Sequence, residues 1–524
     1  MVAPTTRETG PVIVEKVHTG KVVGISIIAA LGGFLFGYDS SVINGANKAV
    51  FYQFQIENTS LQGFVVAIAL LGSAVGAFFG GRLADKIGRK KVMVIAAILF
   101  LIAGVGQAFP FSVGDFMLWR VVGGFAIGLA AVISPMYISE VAPAHLRGRL
   151  SSLFQLAIVV GIFATQLVNQ IIIAMVPDTV QEPLKNPQVP PVEANNVLAL
   201  GLQAWQWMFL CMVVPAVIYW LLSLTIPESP RYLVAEKKSD KAKEVLSTIY
   251  VEDVDGKIAA IEESLKGDHK PSMKDIKGPR FGLLPLVWVG IILAIFQQFV
   301  GINAVFYYSN LIWSAVGFDE SKAFTTSTII SAVNVIFTFV AIALIDRVGR
   351  KLLLLVGSAG MFITLAILAI TFVTAPKCTQ ALIDAGGTAG CDLPADLNTP
   401  MLSASGGWIA VIALNTYVAF FAATWGPIVW VLLGEMFPNK IRAAALSIGV
   451  MANWIANFIV SETFPTLVSI SLGLAYGIFT VCALLSFFYV LKFVKETKGV
   501  ELEDMESLEG VELAGEATGE IHTA

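Results

Sequence analysis

The chain has 524 residues, 56% of them apolar and only 14% charged, with a mean hydropathy of +0.77. That excludes an ordinary soluble domain, where about a quarter of residues are charged. A net charge of −4 gives no basic surface for nucleic acid. Residues 1–20 are polar, include Glu8, Glu15 and Lys16, and carry no cleavage-site pattern, so they do not read as a secretory signal peptide.

Apolar runs of about 20 residues, the length that crosses a bilayer, predict spans at 22–46, 61–80, 92–110, 115–137, 151–175 and 207–226. A second set follows at 282–308, 322–345, 352–374, 408–433, 440–465 and 470–494. The expected fold class is an all-α integral membrane protein of twelve transmembrane helices in two six-helix, pseudo-symmetric halves. Of the 34 Lys and Arg residues, only Lys48, Lys185, Lys322 and Lys377 fall in predicted outer loops, and Arg120 alone lies more than three residues inside a span. This bias places both termini on the cytoplasmic side of a plasma membrane. The expected organisation is a cytoplasmic segment 1–21, a first half 22–226, a linker 227–281, a second half 282–494 and an acidic tail 495–524. In the linker, Ala242, Val245, Leu246 and Ile249 keep helical spacing, as do Val254, Ile258, Ile261 and Leu265, which predicts short amphipathic helices.

Polar groups inside the spans are the functional candidates, because each is costly there unless paired. The seventh span carries Gln297, Gln298, Asn303, Tyr307 and Tyr308. On an unbroken helix Gln298 and Asn303 would point about 140° apart, and Gly301 between them offers a point of unwinding. Amides and phenols without carboxylates suit a neutral, polyhydroxylated ligand, since each amide both donates and accepts. Gln155, Ile162, Gln166 and Asn169 lie within about 40° of one direction on the fifth span, a polar stripe broken by one Ile. In the first span Asp39 follows a small-xxx-small surface, Gly33 to Gly37, and Arg120 opens the fourth. Among four cysteines, Cys211 and Cys482 fall in spans, while Cys378 and Cys391 bracket an outer loop and predict a disulfide.

The halves repeat a motif. GRLADKIGRKK at 81–91 joins the second and third spans, and DRVGRK at 346–351 joins the eighth and ninth. Each half also ends a span with an acid seven residues before an arginine, Glu140 with Arg147 and Glu435 with Arg442. Parallel six-span repeats are the architecture of a rocking transporter.

With GFLFGYD (33–39), RVVGGFAIGL (120–129), PMYISEVAPAHLRGRL (135–150), PESPRYL (227–233), QQFVGINAVFYYS (297–309) and WGPIVWVLLGEMFPNKIR (425–442), these motifs make the chain resemble the sugar porters of the major facilitator superfamily. The similarity runs from about Gly20 to Glu503, and bacterial xylose/proton symporters and facilitative glucose transporters are the related groups. The resemblance implies a monosaccharide site at Gln155, Ile162, Gln297, Gln298, Asn303, Phe306, Tyr307, Trp425, Asn453 and Trp454, with Trp425 stacking on the sugar and Trp430 left open as packing or pocket wall. It implies proton coupling at Asp39 and Arg120, because the symporters carry Asp where the facilitative transporters carry a neutral amide. It implies a cytoplasmic gate of Arg89, Glu140, Arg147, Arg350, Glu435 and Arg442 that clasps the halves when the site faces outward. Two departures, Gln206 after Trp205 and Lys495 before Glu496, read as peripheral. Ile162 and Phe306 match the glucose transporters rather than the xylose symporters, so D-glucose or a related hexose ranks first. The alternatives are a uniporter, a pentose or myo-inositol symporter, or a non-transporting sugar sensor, against which the short tail speaks. The expected partners are the sugar, a proton and the lipid bilayer, with the chain acting as a monomer. An enzyme is not expected. The sequence has no nucleotide loop or metal-ligand spacing, and His18, His145, His269 and His522 are scattered, so no cofactor and no metal are expected.

Overall fold

The computed structural model describes residues 16–177, 189, 191–267, 276–278, 281–316, 318–384, 400–437 and 439–497. Its first half is built from α1 (Thr19–Gln53), α2 (Thr59–Ile87), α3 (Arg89–Ala108), α4 (Val113–Val141), α5 (Ala144–Ala174), α6 (Ala204–Leu210) and α7 (Val213–Thr225). Three short helices follow, α8 (Pro230–Ala235), α9 (Ser239–Ile249) and α10 (Val254–Gly267). The second half holds α11 (Pro285–Phe299), α12 (Ile302–Ala315), α13 (Glu320–Val348), α14 (Arg350–Thr374), α15 (Gln380–Asp384), α16 (Ala404–Ala423), α17 (Trp425–Met436), α18 (Asn439–Ile470) and α19 (Leu472–Phe493). Pairs α6–α7, α11–α12 and α16–α17 are each one broken span, which gives 12 helical stretches apolar and long enough to cross a membrane.

The helices outrun the predicted spans at several ends, because hydropathy marks bilayer depth while local caps set where a helix starts. Asn58, Ser112, Asp319, Ser403 and Ser471 each accept a hydrogen bond from the backbone N–H three residues on. Each thereby satisfies one of the orphan donors of a first turn. At the opposite ends Gly88 and Gly349 turn α2 into α3 and α13 into α14 with φ of +98° and +100°, the two matching turns that the repeated motif predicts.

Helix α1 packs on α5 and α2 on α4 in the first half, and α14 packs on α19 and α16 in the second. Between halves, α1 meets α12, α2 meets α18 and α5 meets α13. Exchanging the halves maps the first contact onto the same pair of spans and swaps the other two, as a two-fold pseudo-axis requires. The α2–α18 crossing is close enough that a Cβ at Gly63 would stand 1.9 Å from the Glu462 carbonyl oxygen. The short helices form as their spacing predicts: Ala242, Val245, Leu246 and Ile249 are all buried. Residues 16–18 are tied to them, with Val17 bridging Tyr250 and Lys16 Nζ 2.9 Å from Glu252.

Candidate functional site

The seventh span breaks where its glycine lies. Helix α11 ends at Phe299, Gly301 adopts a left-handed φ of +89°, and α12 begins at Ile302. Only glycine takes that conformation without crowding its own carbonyl. The break removes the predicted 140° divergence, and Asn303 Nδ2 donates to Gln298 Oε1 at 2.6 Å. The chain of amides continues onto α18: Gln298 Nε2 donates to Asn453 Oδ1 at 3.1 Å, and Asn453 Nδ2 donates to Gln297 Oε1 at 2.8 Å. Gln297 Nε2 closes it on the carbonyls of Trp425 and Gly426, both at 3.0 Å. Four side chains from three helices are thus brought together, each holding the next in a fixed orientation. Asn303 remains only half-buried.

The aromatic expectations divide. Trp454 lies within a centroid distance of 5.6 Å of Phe36, joining α18 to α1 across the halves. Trp425 is turned toward α14 in this conformation. It is 0% exposed, and its indole N–H donates to Leu354 O and Ser358 Oγ on α14, both at 3.1 Å. Pro427 removes a backbone donor and crowds the carbonyl of Ala423. The span therefore breaks at Thr424 and restarts with Trp425 seated against α14, leaving no open face for stacking in this conformation. Trp430 is the half-exposed ring of this stretch. Phe306 and Tyr307 are buried, and the Tyr307 carbonyl accepts from Asn47 Nδ2 at 3.3 Å.

On α5 the predicted polar stripe splits in two. Gln155 and Ile162 are half-buried, and Gln155 has no hydrogen-bond partner among the described residues. Gln166 and Asn169 are buried and spend their amides on α1, with Gln166 Oε1 accepting from Asn44 Nδ2 at 3.0 Å.

Asp39 and Arg120 meet in the interior of the first half, 0% and 2% exposed. Arg120 Nη1 stands 3.9 Å from Asp39 Oδ1, a loose pair. The guanidinium instead donates to the main-chain oxygens of Asp39 at 3.3 Å and Val66 at 3.1 Å. Asp39 Oδ2 has no partner among the described residues. Sequence reasoning missed Gln107 on α3, whose Nε2 donates to Asp39 Oδ1 at 3.2 Å. The only signal for it was one amide in an otherwise apolar span.

At the span ends that carry the repeated motif, the charges pair within each half. Arg89 binds Glu140 with both Nε and Nη2, at 3.0 and 2.9 Å, and Arg350 binds Glu435 likewise at 3.1 and 2.8 Å. In this conformation each acid lies on the same half as its arginine, whereas the clasp is expected when the site faces outward. The side chains of Arg147 and Arg442 lie outside the described residues. A second acid completes each cluster. Glu228 Oε1 accepts from the backbone N–H of Arg89 at 2.9 Å and of Lys90 at 3.2 Å. Glu496 accepts from those of Arg350 at 2.8 Å and Lys351 at 3.0 Å. The stretch that begins the expected tail is thus part of the second half.

Where both partners are described, the hydrogen bonds that join the halves lie toward the opposite ends of the spans from these charged clusters. Asn310 N donates to Asn44 Oδ1 at 3.0 Å, Ser60 Oγ to Glu462 Oε1 at 3.0 Å, and Gln170 Nε2 to Thr325 Oγ1 at 3.0 Å. The hydroxyls of Thr59 and Thr466 lie 3.3 Å apart. Cys378 is buried and disulfide-bonded, while Cys211 and Cys482 are free. Its predicted partner Cys391 lies outside the described residues.

Comparison with known proteins agrees with this architecture. The profile of the family described as "Sugar (and other) transporter" matches residues 25–508. A glucose transport protein of Synechocystis sp. is 48% identical over 482 residues, covering 92% of this chain and 96% of its own. The D-xylose-proton symporter of Escherichia coli K12 is 34% identical over 524 residues, covering 94% and 96%. Among solved structures, the inward-open conformation of the E. coli xylose transporter XylE superposes with a TM-score of 0.73 at 33% identity, covering 93% of this chain and 99% of that one. Twelve spans in two exchangeable halves, an amide-lined break in the seventh and the whole-length match make one conclusion: the chain belongs to the sugar transporter family of the major facilitator superfamily.

Proposed function

We propose that this protein imports D-glucose or a closely related hexose in symport with a proton, by alternating access, as a monomer in the plasma membrane with both termini cytoplasmic. The observation that carries the symport reading is the buried Asp39 with one oxygen unpartnered beside a guanidinium 3.9 Å away. A carboxylate without water is costly unless paired or protonated, and this pair is loose enough to exist with the acid neutral. The sugar reading is supported by the amide chain of Asn303, Gln298, Asn453 and Gln297, by the half-buried Gln155, and by the similarity to a glucose transport protein. Ile162 on the same α5 face favours a hexose over a ligand needing another amide, since sites select most sharply where polar groups would go unpaired. The similarity to a D-xylose-proton symporter supports the proton.

In this cycle Asp39 is protonated from outside, Arg120 is released from it, sugar binds between the halves and the halves rock. Loss of the proton inside restores the pair. One charge moved inward gains about 2.3 kcal/mol per 100 mV, and each pH unit adds about 1.4 kcal/mol. In liposomes of purified protein an imposed pH gradient should drive accumulation of labelled glucose, and unlabelled glucose should compete with labelled xylose. Asp39→Asn should abolish accumulation and proton uptake while exchange of internal for external sugar continues. A wild-type protein that equilibrates sugar but never accumulates it is a uniporter, with Asp39 and Arg120 a static bond.

A further inference from the structure

We propose that Gln107 is a positioning residue that sets the pH at which Asp39 takes up its proton; the proposal rests on the symport reading above. Four helices of the first half wall the cluster: Asp39 lies on α1, Val66 on α2, Gln107 on α3 and Arg120 on α4. Gln107 is 0% exposed, and neither end of its amide is spent on its helix neighbours. Its Nε2 donates to Asp39 Oδ1 at 3.2 Å and its Oε1 accepts from Arg120 Nη1 at 3.4 Å. The direct approach of Arg120 Nη1 to Asp39 Oδ1, at 3.9 Å, is beyond hydrogen-bond reach. The amide therefore stands between acid and cation, a donor toward one and an acceptor toward the other.

Two consequences follow from that placement. First, Arg120 has three neutral acceptors, the main-chain oxygens of Asp39 and Val66 and the Gln107 side chain, whatever the charge on Asp39. Proton uptake by Asp39 thus leaves no stranded cation in the bilayer interior. Second, Gln107 is the side-chain donor to the Asp39 carboxylate, and a donor to the charged form favours ionisation. Removing it makes the acid hold its proton to higher pH. Arg120 on α4 is the charged group facing Asp39, and Tyr307 on α12 is the other ionisable one. Tyr307 and Tyr308 also face Arg120. Neither tyrosine is altered by a change at position 107.

The test measures glucose accumulation by the full chain in liposomes at constant internal pH across a series of external pH values. The midpoint of that profile does not depend on how much protein inserts. Gln107→Leu, similar in volume but without donor or acceptor, should move the midpoint to higher pH by about one unit, a tenfold lower proton concentration. Gln107→Glu should move it in the same direction, because a second carboxylate competes for Arg120 and adds a like charge beside Asp39. Gln107→Asn, which keeps the amide on a shorter stem, should fall between wild type and the leucine variant. If the leucine variant fails to fold, the glutamate and asparagine midpoints decide. Variants that accumulate sugar with the wild-type midpoint overturn this proposal alone. A wild-type protein that accumulates nothing overturns the symport reading and this proposal with it.

Discussion

Gly301 shows how one residue makes the candidate sugar site. Its φ of +89° lets Asn303 reach Gln298, and a Cβ there would stand 2.4 Å from the Phe479 ring. A left-handed non-glycine residue costs about 1–2 kcal/mol before that clash is counted. Gly301→Ala should therefore melt at lower temperature and raise the KM for sugar about tenfold, the equivalent of 1.4 kcal/mol of binding. An unchanged KM in liposome uptake would mean the break does not shape the site. This pairing was legible in the sequence because glycine and amides lay within six residues of one another. Gln107 was not, because its partners lie 68 and 13 residues away on other helices. The side that Trp425 faces in this conformation was not legible for a related reason: its sequence motif names the residue, while its orientation follows from the break at Thr424.

Helix ends raise a second point. The carboxylates of Glu228 and Glu496 stand at the N-termini of α3 and α14, each taking the first two backbone donors of the helix. Ser229 and Thr497 bind the neighbouring acids Glu140 and Glu435, so the two clusters match hydroxyl for hydroxyl and acid for acid. An anion at a helix N-terminus is worth about 0.3–1 kcal/mol at exposed positions and more when partly buried. Glu228→Gln and Glu496→Gln should each lower stability by about 1 kcal/mol, read as earlier unfolding of the purified protein. The two losses should add, since the caps serve different halves and share no partner. A double variant no less stable than either single one would contradict independent capping. The repeated Gly-Arg turns were plain in the sequence, but the equivalence of Pro-Glu-Ser and Lys-Glu-Thr was hidden. The shared middle acid caps the helix, and the flanking residues differ because one stretch leads into α8 and the other into the tail.

For the whole molecule the governing feature is asymmetry between its two faces. The described bonds between halves lie toward one end of α1, α2, α5, α12, α13 and α18, while the charged clusters at the other end are internal to each half. Bonds of this kind contribute about 0.5–1.5 kcal/mol each, enough in sum to hold one face shut and few enough to release in each cycle. In the proposed orientation the chain should therefore rest with its site facing the cytoplasm, and rocking must part α2 from α18. The hydroxyls of Thr59 and Thr466 report on that step directly, being 3.3 Å apart on those two helices. Cysteine is close to threonine in size, so Thr59→Cys with Thr466→Cys brings two sulfurs to bonding range at little cost in packing. Oxidation should then stop glucose uptake and exchange alike, because both require the outer face to open, and dithiothreitol should restore them. Each single variant should be indifferent to oxidant. Sugar added to the oxidised protein from the cytoplasmic side should still bind, since the lock holds the state that is open there. A fully cross-linked protein that transports at the reduced rate would show that α2 and α18 do not separate in the cycle, and the outer bonds would then be scaffold rather than gate.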